Sequence, residues 1–272
     1  MTSKSKWLSA PYVLWSIVFI IIPLGMIVYY GLTDKTGAFT LENIIAITTA
    51  GHAKALRLSV LLSLISTLVC FLLAYPLAMI LANTKTSKHH FIILIFILPM
   101  WMNFLLRTLA WQTLLEKNGV INSVLTFLNL PNLKIINTPA AIVLGMVYNF
   151  LPFMILPLYN VLSKIDTNII NAAHDLGAGS VYTFIRIILP LSVPGIISGI
   201  TMVFVPALTT FVISALLGGS KLLLIGDVIE QEFTRTSNWH LGSGLSIVLM
   251  IFIVINMVAS AIFDKDGEGS ML

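Results

Sequence analysis

The sequence predicts an all-α membrane protein with six transmembrane helices, on three observations. Of its 272 residues, 58% are hydrophobic and only 10% are charged, a balance far from that of a water-soluble domain. Apolar stretches of roughly 20 residues, enough to cross a hydrocarbon core of about 30 Å as a helix, recur along most of the chain. Cutting them at polar, Gly-rich or Pro-rich breaks leaves six runs, at 12–32, 56–82, 91–111, 139–162, 187–217 and 242–262. Inside a bilayer no water satisfies the backbone, so each run is read as a helix.

The first run follows Lys4 and Lys6. It exceeds the usual signal-peptide core of about 7–15 residues and no small-x-small cleavage site follows it, so it reads as a retained helix. Residues 1–11 then form an N-terminal segment, 12–262 the membrane domain and 263–272 a tail. The second run holds Cys70, the only cysteine, which excludes an internal disulfide and reads as a small core side chain. Arg107 falls within the third run, where a charge is costly and faces protein or water. Its expected role is to pair with backbone carbonyls or a neighbouring subunit, the alternative being gating. The fifth run is long enough to contain a break, and Pro190 and Pro194 place a bend at its start. No Asp or Glu lies in the middle of any run.

Six crossings place both termini on one side, and Lys4 and Lys6 favour the cytoplasm for it. The full tally does not orient the chain: seven Lys/Arg fall in the inner segments (4, 6, 85, 88, 164, 186, 265) and seven in the outer ones (35, 54, 57, 117, 134, 221, 235). Density does, because the short loop 83–90 concentrates Lys85, Lys88, His89 and His90. The longest gap, 112–138, is too short for a soluble domain, so any ATPase or ligand-capturing module belongs to another chain.

Several function classes are excluded. The basic residues are scattered and form no stripe, which argues against nucleic acid. His89, His90, His174 and His240 have no Cys or carboxylate neighbours at ligand spacing, so no metal site is expected. No phosphate-cradling Gly-Lys-Ser/Thr loop and no strained serine elbow is present, so the chain reads as neither an ATPase nor a hydrolase.

Function is carried by the loop between the fourth and fifth runs, about 164–186. Asp166, Thr167 or Asn168 can cap a short helix there, and Gly177 can end it in the left-handed conformation. Ile169, Ala172, Ala173 and Leu176 then share one low-relief apolar face, suited to docking in a groove on a partner. Ser180 can cap the helix that follows.

Asn171-Ala172-Ala173, Gly177 four residues on, and Ile187-Ile188-Leu189-Pro190 resemble the EAA signature of ABC importer permeases, Glu-Ala-Ala-x3-Gly-x9-Ile-x-Leu-Pro, at six of seven defined positions. Asn171 stands where the family has Glu. The resemblance implies a type I ABC importer permease fold, with Asn168, Ile169, Asn171, Ala172, Ala173, Asp175, Leu176 and Gly177 forming a coupling helix on the ATPase. Similarity to the spermidine/putrescine (PotB-type) branch extends over nearly the whole chain. Its carriers are Leu98-Pro99-Met100-Trp101-Met102-Asn103-Phe104-Leu105-Leu106-Arg107, Leu151-Pro152-Phe153-Met154-Ile155-Leu156-Pro157-Leu158-Tyr159 and Leu217-Gly218-Gly219-Ser220-Lys221-Leu222-Leu223-Leu224-Ile225-Gly226-Asp227.

That resemblance implies a heterodimer with a second permease, two copies of a cytosolic ABC ATPase, an extracellular or periplasmic substrate-binding protein and a polyamine substrate. It also implies a multi-pass protein of the bacterial inner membrane, with no cofactor on this chain and ATP and Mg on the partner ATPase. Trp101, Trp111 and Tyr148 offer π faces that could hold ammonium groups, although span-end aromatics also form interfacial belts. Asp227 and Glu230, spaced i, i+3, could attract a cation or stand on a solvated face. Two other readings remain open: a permease of the same build for another solute such as an anion, and a self-contained secondary transporter. The second usually carries midspan ionisable residues, which this chain lacks.

Overall fold

The computed structural model describes residues 10–83, 98–219 and 222–269. Among these residues the regular structure is helical, apart from one isolated bridge pairing Thr33 with Phe39. The helices longer than one turn are α1 (Pro11–Gly31), α2 (Ala50–Asn83), α3 (Phe104–Leu115), α4 (Val120–Phe127), α5 (Pro139–Leu162), α6 (Thr167–Asp175), α7 (Ser180–Thr209), α8 (Ile225–Thr234) and α9 (Trp239–Gly269). Five of the described helices are long and apolar enough to cross a membrane: α1, α2, α5, α7 and α9 through Ile262. The predicted third span, 91–111, begins outside the described residues, as does the basic cluster Lys85, Lys88, His89 and His90. Its described part is a 3-10 turn, Leu98–Trp101, and then α3.

The chain divides into two compact units. In the unit formed by 10–55 and 228–253, α1 contributes almost only exposed apolar side chains, as lipid contact requires. Its end is tied down by backbone-directed polar groups. His240 Nδ1 lies 2.7 Å from the Thr33 carbonyl and 3.1 Å from that of Tyr30, so this nitrogen carries the proton. Asn43 Nδ2 donates to the Thr33 carbonyl at 3.0 Å. In the turn beyond, the Asp34 carboxylate accepts from the Thr36 hydroxyl at 2.7 Å and from the Ala38 and Thr36 N–H groups, bonds that hold its pKa below the usual carboxylate value.

The other unit, 56–227 with 254–269, is built on α2, α5 and α7. One face of α2 is a column of small side chains, Ser59, Ser63, Ser66, Cys70, Ala74 and Ala78, all fully buried. Its opposite face, with Leu61, Leu64, Leu68, Leu72 and Ile80, is exposed. Small residues allow close helix approach in a membrane, where apolar side chains gain little by leaving lipid. Cys70 is thus a core residue, as its setting predicted. Thr138 caps α5, accepting from the Ala141 N–H at 3.4 Å, and Pro139 occupies the first turn. Met146, Met154, Ile155 and Leu158 of α5 are buried in the same core as Val203 and Ala207 of α7.

The fifth run contains the break that its length allowed. Pro190 and Pro194 lie inside the continuous helix α7, and the irregularity ahead of them is a π turn at Phe184–Ile188. The wider turn is placed just before Pro190, which has no N–H to return to the preceding turn. The break falls later, at Thr210, where ψ turns to 141°. A second π turn, Ser214–Gly218, follows, with Ser214, Leu217 and Gly218 buried. Gly226 makes this arrangement possible, since a β-carbon on it would stand 2.7 Å from the carbonyl oxygens of Thr209 and Thr210.

Candidate functional site

The helix α6 is closed at both ends by its own residues. Asp166 is the N-cap, its carboxylate accepting from the Asn168 N–H at 2.9 Å. At the other end Ala178 N–H bonds to the Ala173 carbonyl and Gly177 N–H to that of His174, both at 2.9 Å. These are the two bonds of a Schellman motif, with Gly177 at φ +84° in its left-handed position. His174 Nδ1 lies 2.9 Å from the Ala178 carbonyl, so the proton is on Nδ1 and the imidazole reinforces the stop.

No residue of α6 is buried. Ile169 is 47% exposed and Leu176 90% exposed, with Ala172 exposed and Ala173 half-buried on the same face. Asn168, Asn171 and Asp175 are also exposed. The face is therefore open for contact with another surface. Beside it lies a hollow of about 830 Å³, lined by Ala173, Leu176, Gly177, Ala178, Gly179, Tyr182, Arg186 and Ile187. Val181 and Tyr182, 72% and 59% exposed, extend the surface onto α7. The sequence reading passed over these two, although an apolar pair just past the glycines at the start of a membrane helix was the available signal. The predicted cap Ser180 is corrected. Gly179, in extended conformation, is the N-cap and makes no side-chain bond, so the helix starts one residue beyond it.

The candidate substrate-path residues, Trp101, Trp111, Tyr148, Asp227 and Glu230, are distributed over different settings. Trp101 ends the 3-10 turn and is 80% exposed. Trp111 on α3 meets Tyr148 on α5 edge to face, with ring centroids 5.2 Å apart. The guanidinium carbon of Arg107, a buried residue, stands 5.8 Å from the Tyr148 ring centre. Tyr148 is thus engaged in a cation–π contact with a cation of its own chain. This placement supports the structural role expected for Arg107, with an aromatic face among its partners.

Asp227 and Glu230 share α8 but not an environment. Asp227 is buried, and its carboxylate accepts from the Leu224 N–H at 2.7 Å. The next amide, Ile225 N–H, donates to the Ser59 hydroxyl at 2.8 Å. Asp227 therefore closes the start of a helix, in place of the solvated face expected of it. Glu230 is half-buried and accepts from the Thr234 hydroxyl at 2.9 Å.

Residues 42–265 match a family described as binding-protein-dependent transport system inner membrane component. The chain is 35% identical over 266 residues to the spermidine/putrescine transport system permease protein PotB of Haemophilus influenzae, covering 93% of each. It is 36% identical to the protein of that name from Escherichia coli, covering 93% of this chain and 97% of the relative. A PotB homolog from Mycoplasma genitalium is 31% identical over 80% of this chain. In fold, it is similar to a chain of a bacterial ABC transporter that imports the acidic polysaccharide alginate, at a TM-score of 0.80 and 16% identity, over 97% of this chain and 96% of that one.

Proposed function

Since the chain belongs to the binding-protein-dependent transport system inner membrane components, we propose that it is the permease subunit of an ATP-driven polyamine importer, coupled to its ATPase through α6. The protein is a transport permease of the inner membrane, not an enzyme. Similarity to spermidine/putrescine permeases over 93% of the chain is the observation that carries the substrate class. The exposed, doubly capped α6 supports the mode of coupling.

In this reading the termini are cytosolic, and α6 sits in a cleft of a cytosolic ABC ATPase. Two ATPase copies hold ATP and Mg, a second permease completes the path, and an external binding protein delivers the solute. When ATP draws the ATPases together, α6 and its counterpart approach one another and the path opens outward. Hydrolysis returns it inward, so the nucleotide state selects between two arrangements. Asn171, in place of the family's Glu, removes a charge from this contact and leaves the apolar face intact.

A linear polycation must exchange its hydration for aromatic faces, carbonyls and carboxylates. Of Trp101, Trp111 and Tyr148, the ring of Trp101 is the most open. Radiolabelled spermidine and putrescine uptake in cells lacking their own system, with all partners co-expressed, tests the reading. ATP-dependent accumulation is expected. Trp101→Ala should reduce it severalfold, more than Leu64→Ala, which alters only an exposed apolar side chain. Accumulation of an anion such as sulfate instead would retain the permease and overturn the polyamine.

A further inference from the structure

A buried polar contact between α2 and α7 begins where the loop carrying α6 ends. Tyr75 on α2 and Ser192 on α7 are both buried, with their hydroxyl oxygens 2.8 Å apart. Ser192 Oγ also lies 2.8 Å from the Leu189 carbonyl oxygen. A carbonyl only accepts, so the single Ser192 proton goes to Leu189 and Tyr75 is the donor to Ser192. The contact is therefore a directed relay from α2 onto the backbone of α7. The Tyr75 ring is held by Phe71 at 5.4 Å and by Phe184 at 5.7 Å between centroids, both edge to face.

The relay attaches where α7 lacks a regular run of helical hydrogen bonds. Phe184 opens the π turn Phe184–Ile188, and Leu189 follows it directly. Pro190 cannot donate to the Arg186 carbonyl, nor Pro194 to that of Pro190. A helix lacking rungs at two nearby positions bends there in preference to elsewhere. Left to itself, that stretch would absorb a displacement applied at α6.

We infer that Tyr75 and Ser192 are positioning residues that pin this bendable stretch of α7 to α2, so that movement of α6 is passed to α2 instead of being lost in a local bend. The inference rests on α6 being the ATPase-coupling helix. The relay touches neither the solute nor nucleotide, and its effect falls on the ratio between hydrolysis and transport.

The test is the complete complex, with both permeases, the ATPase and the binding protein, reconstituted in proteoliposomes and supplied with spermidine and ATP. Tyr75→Phe removes one oxygen and keeps the ring packing. Hydrolysis per assembled complex should stay within about twofold of wild type, while solute imported per ATP falls at least fivefold. Ser192→Ala should give the same ratio, and the double variant should be no worse than either single one, because all three delete one relay. Ser192→Thr, which keeps the hydroxyl, should restore the ratio. Should Tyr75→Phe fail to assemble, Ser192→Ala against Ser192→Thr decides the matter by the same ratio. An unchanged ratio in the variants, with wild type active, overturns the relay alone. Wild type without ATP-driven uptake overturns the coupling role of α6 and the relay with it.

Discussion

The helices α6 (Thr167–Asp175) and α8 (Ile225–Thr234) have nearly the same length, and each follows an irregular stretch, yet they are stabilised from opposite directions. α6 carries its own closures, with Asp166 at one end and the Gly177 turn reinforced by His174 at the other. None of its residues is buried. The start of α8, besides the bond its own Asp227 makes to the Leu224 N–H, is held by what surrounds it: Ile225 donates to Ser59, 166 residues away in sequence, and Gly226 fits against the carbonyls of Thr209 and Thr210. Isolated helices this short are marginal in water. The difference teaches that a helix which must present a bare face to a partner is stabilised by its own caps, whereas one that closes a core can rely on tertiary contacts.

The comparison is broken most severely at Gly226. A valine there would push its β-carbon to 2.7 Å from two backbone oxygens, neither of which can swing aside as a side chain can. Overpacking of this kind typically costs about 1–3 kcal/mol and occasionally more. Gly226→Val should lower the thermal midpoint of the purified complex markedly or prevent its assembly. A midpoint within 1–2 °C of wild type, read as roughly unchanged stability, would show that α8 is not held from outside.

Ser59→Ala sharpens the same point more gently. It deprives the buried Ile225 N–H of its acceptor, a loss of about 1–3 kcal/mol. Destabilisation should appear by fluorescence-detected unfolding, with the attachment of the ATPase to surviving complexes unaffected.

At α6 the expected effect is smaller in stability and larger in function. Gly177→Val must either hold a β-branched residue at φ +84° or lose the turn, at a cost of about 1–2 kcal/mol confined to the loop. The spans should still insert and the unfolding midpoint should hardly move. ATPase retained on affinity purification, and ATP-driven uptake, should both fall severalfold. Equal retention would mean that the Gly177 turn does not position the docking face.

How much of this was legible in the sequence follows from how local each signal is. Asp166 and Gly177 act on amides within a few residues, so the bounds of α6 could be read from residue types alone. The spans 139–162 and 242–262 were equally open, because apolar length needs no partner to be recognised. The break at Thr210 was not, since hydropathy barely changes across it and the cause, the approach of Gly226, comes from sixteen residues further on. Burial of Asp227 was hidden for a similar reason. An acid beyond a Gly-Gly break resembles a solvated one until the backbone of Leu224 is seen to fold onto it. For Tyr148 the choice between an open π face and a packed ring stayed undecided, because nothing in the spacing brings α3 beside α5, where Arg107 already engages the ring. Gly179 took the cap position from Ser180 because glycine adopts the extended entry conformation as readily as serine does, and the choice between them is not made by residue type.

The two faces of α2 reverse the relation between size and importance familiar from water-soluble proteins. Leu61, Leu64, Leu68 and Leu72 lie outward, where one fluid apolar side chain can replace another, while the column from Ser59 to Ala78 sits where every added methyl group must displace a neighbouring helix. The physical expectation is that over generations the outward residues of this helix drift freely and the smallest are held fixed. The slowest-changing positions would trace a ladder of serines and alanines that a hydrophobicity plot ranks as the least noteworthy part of the span.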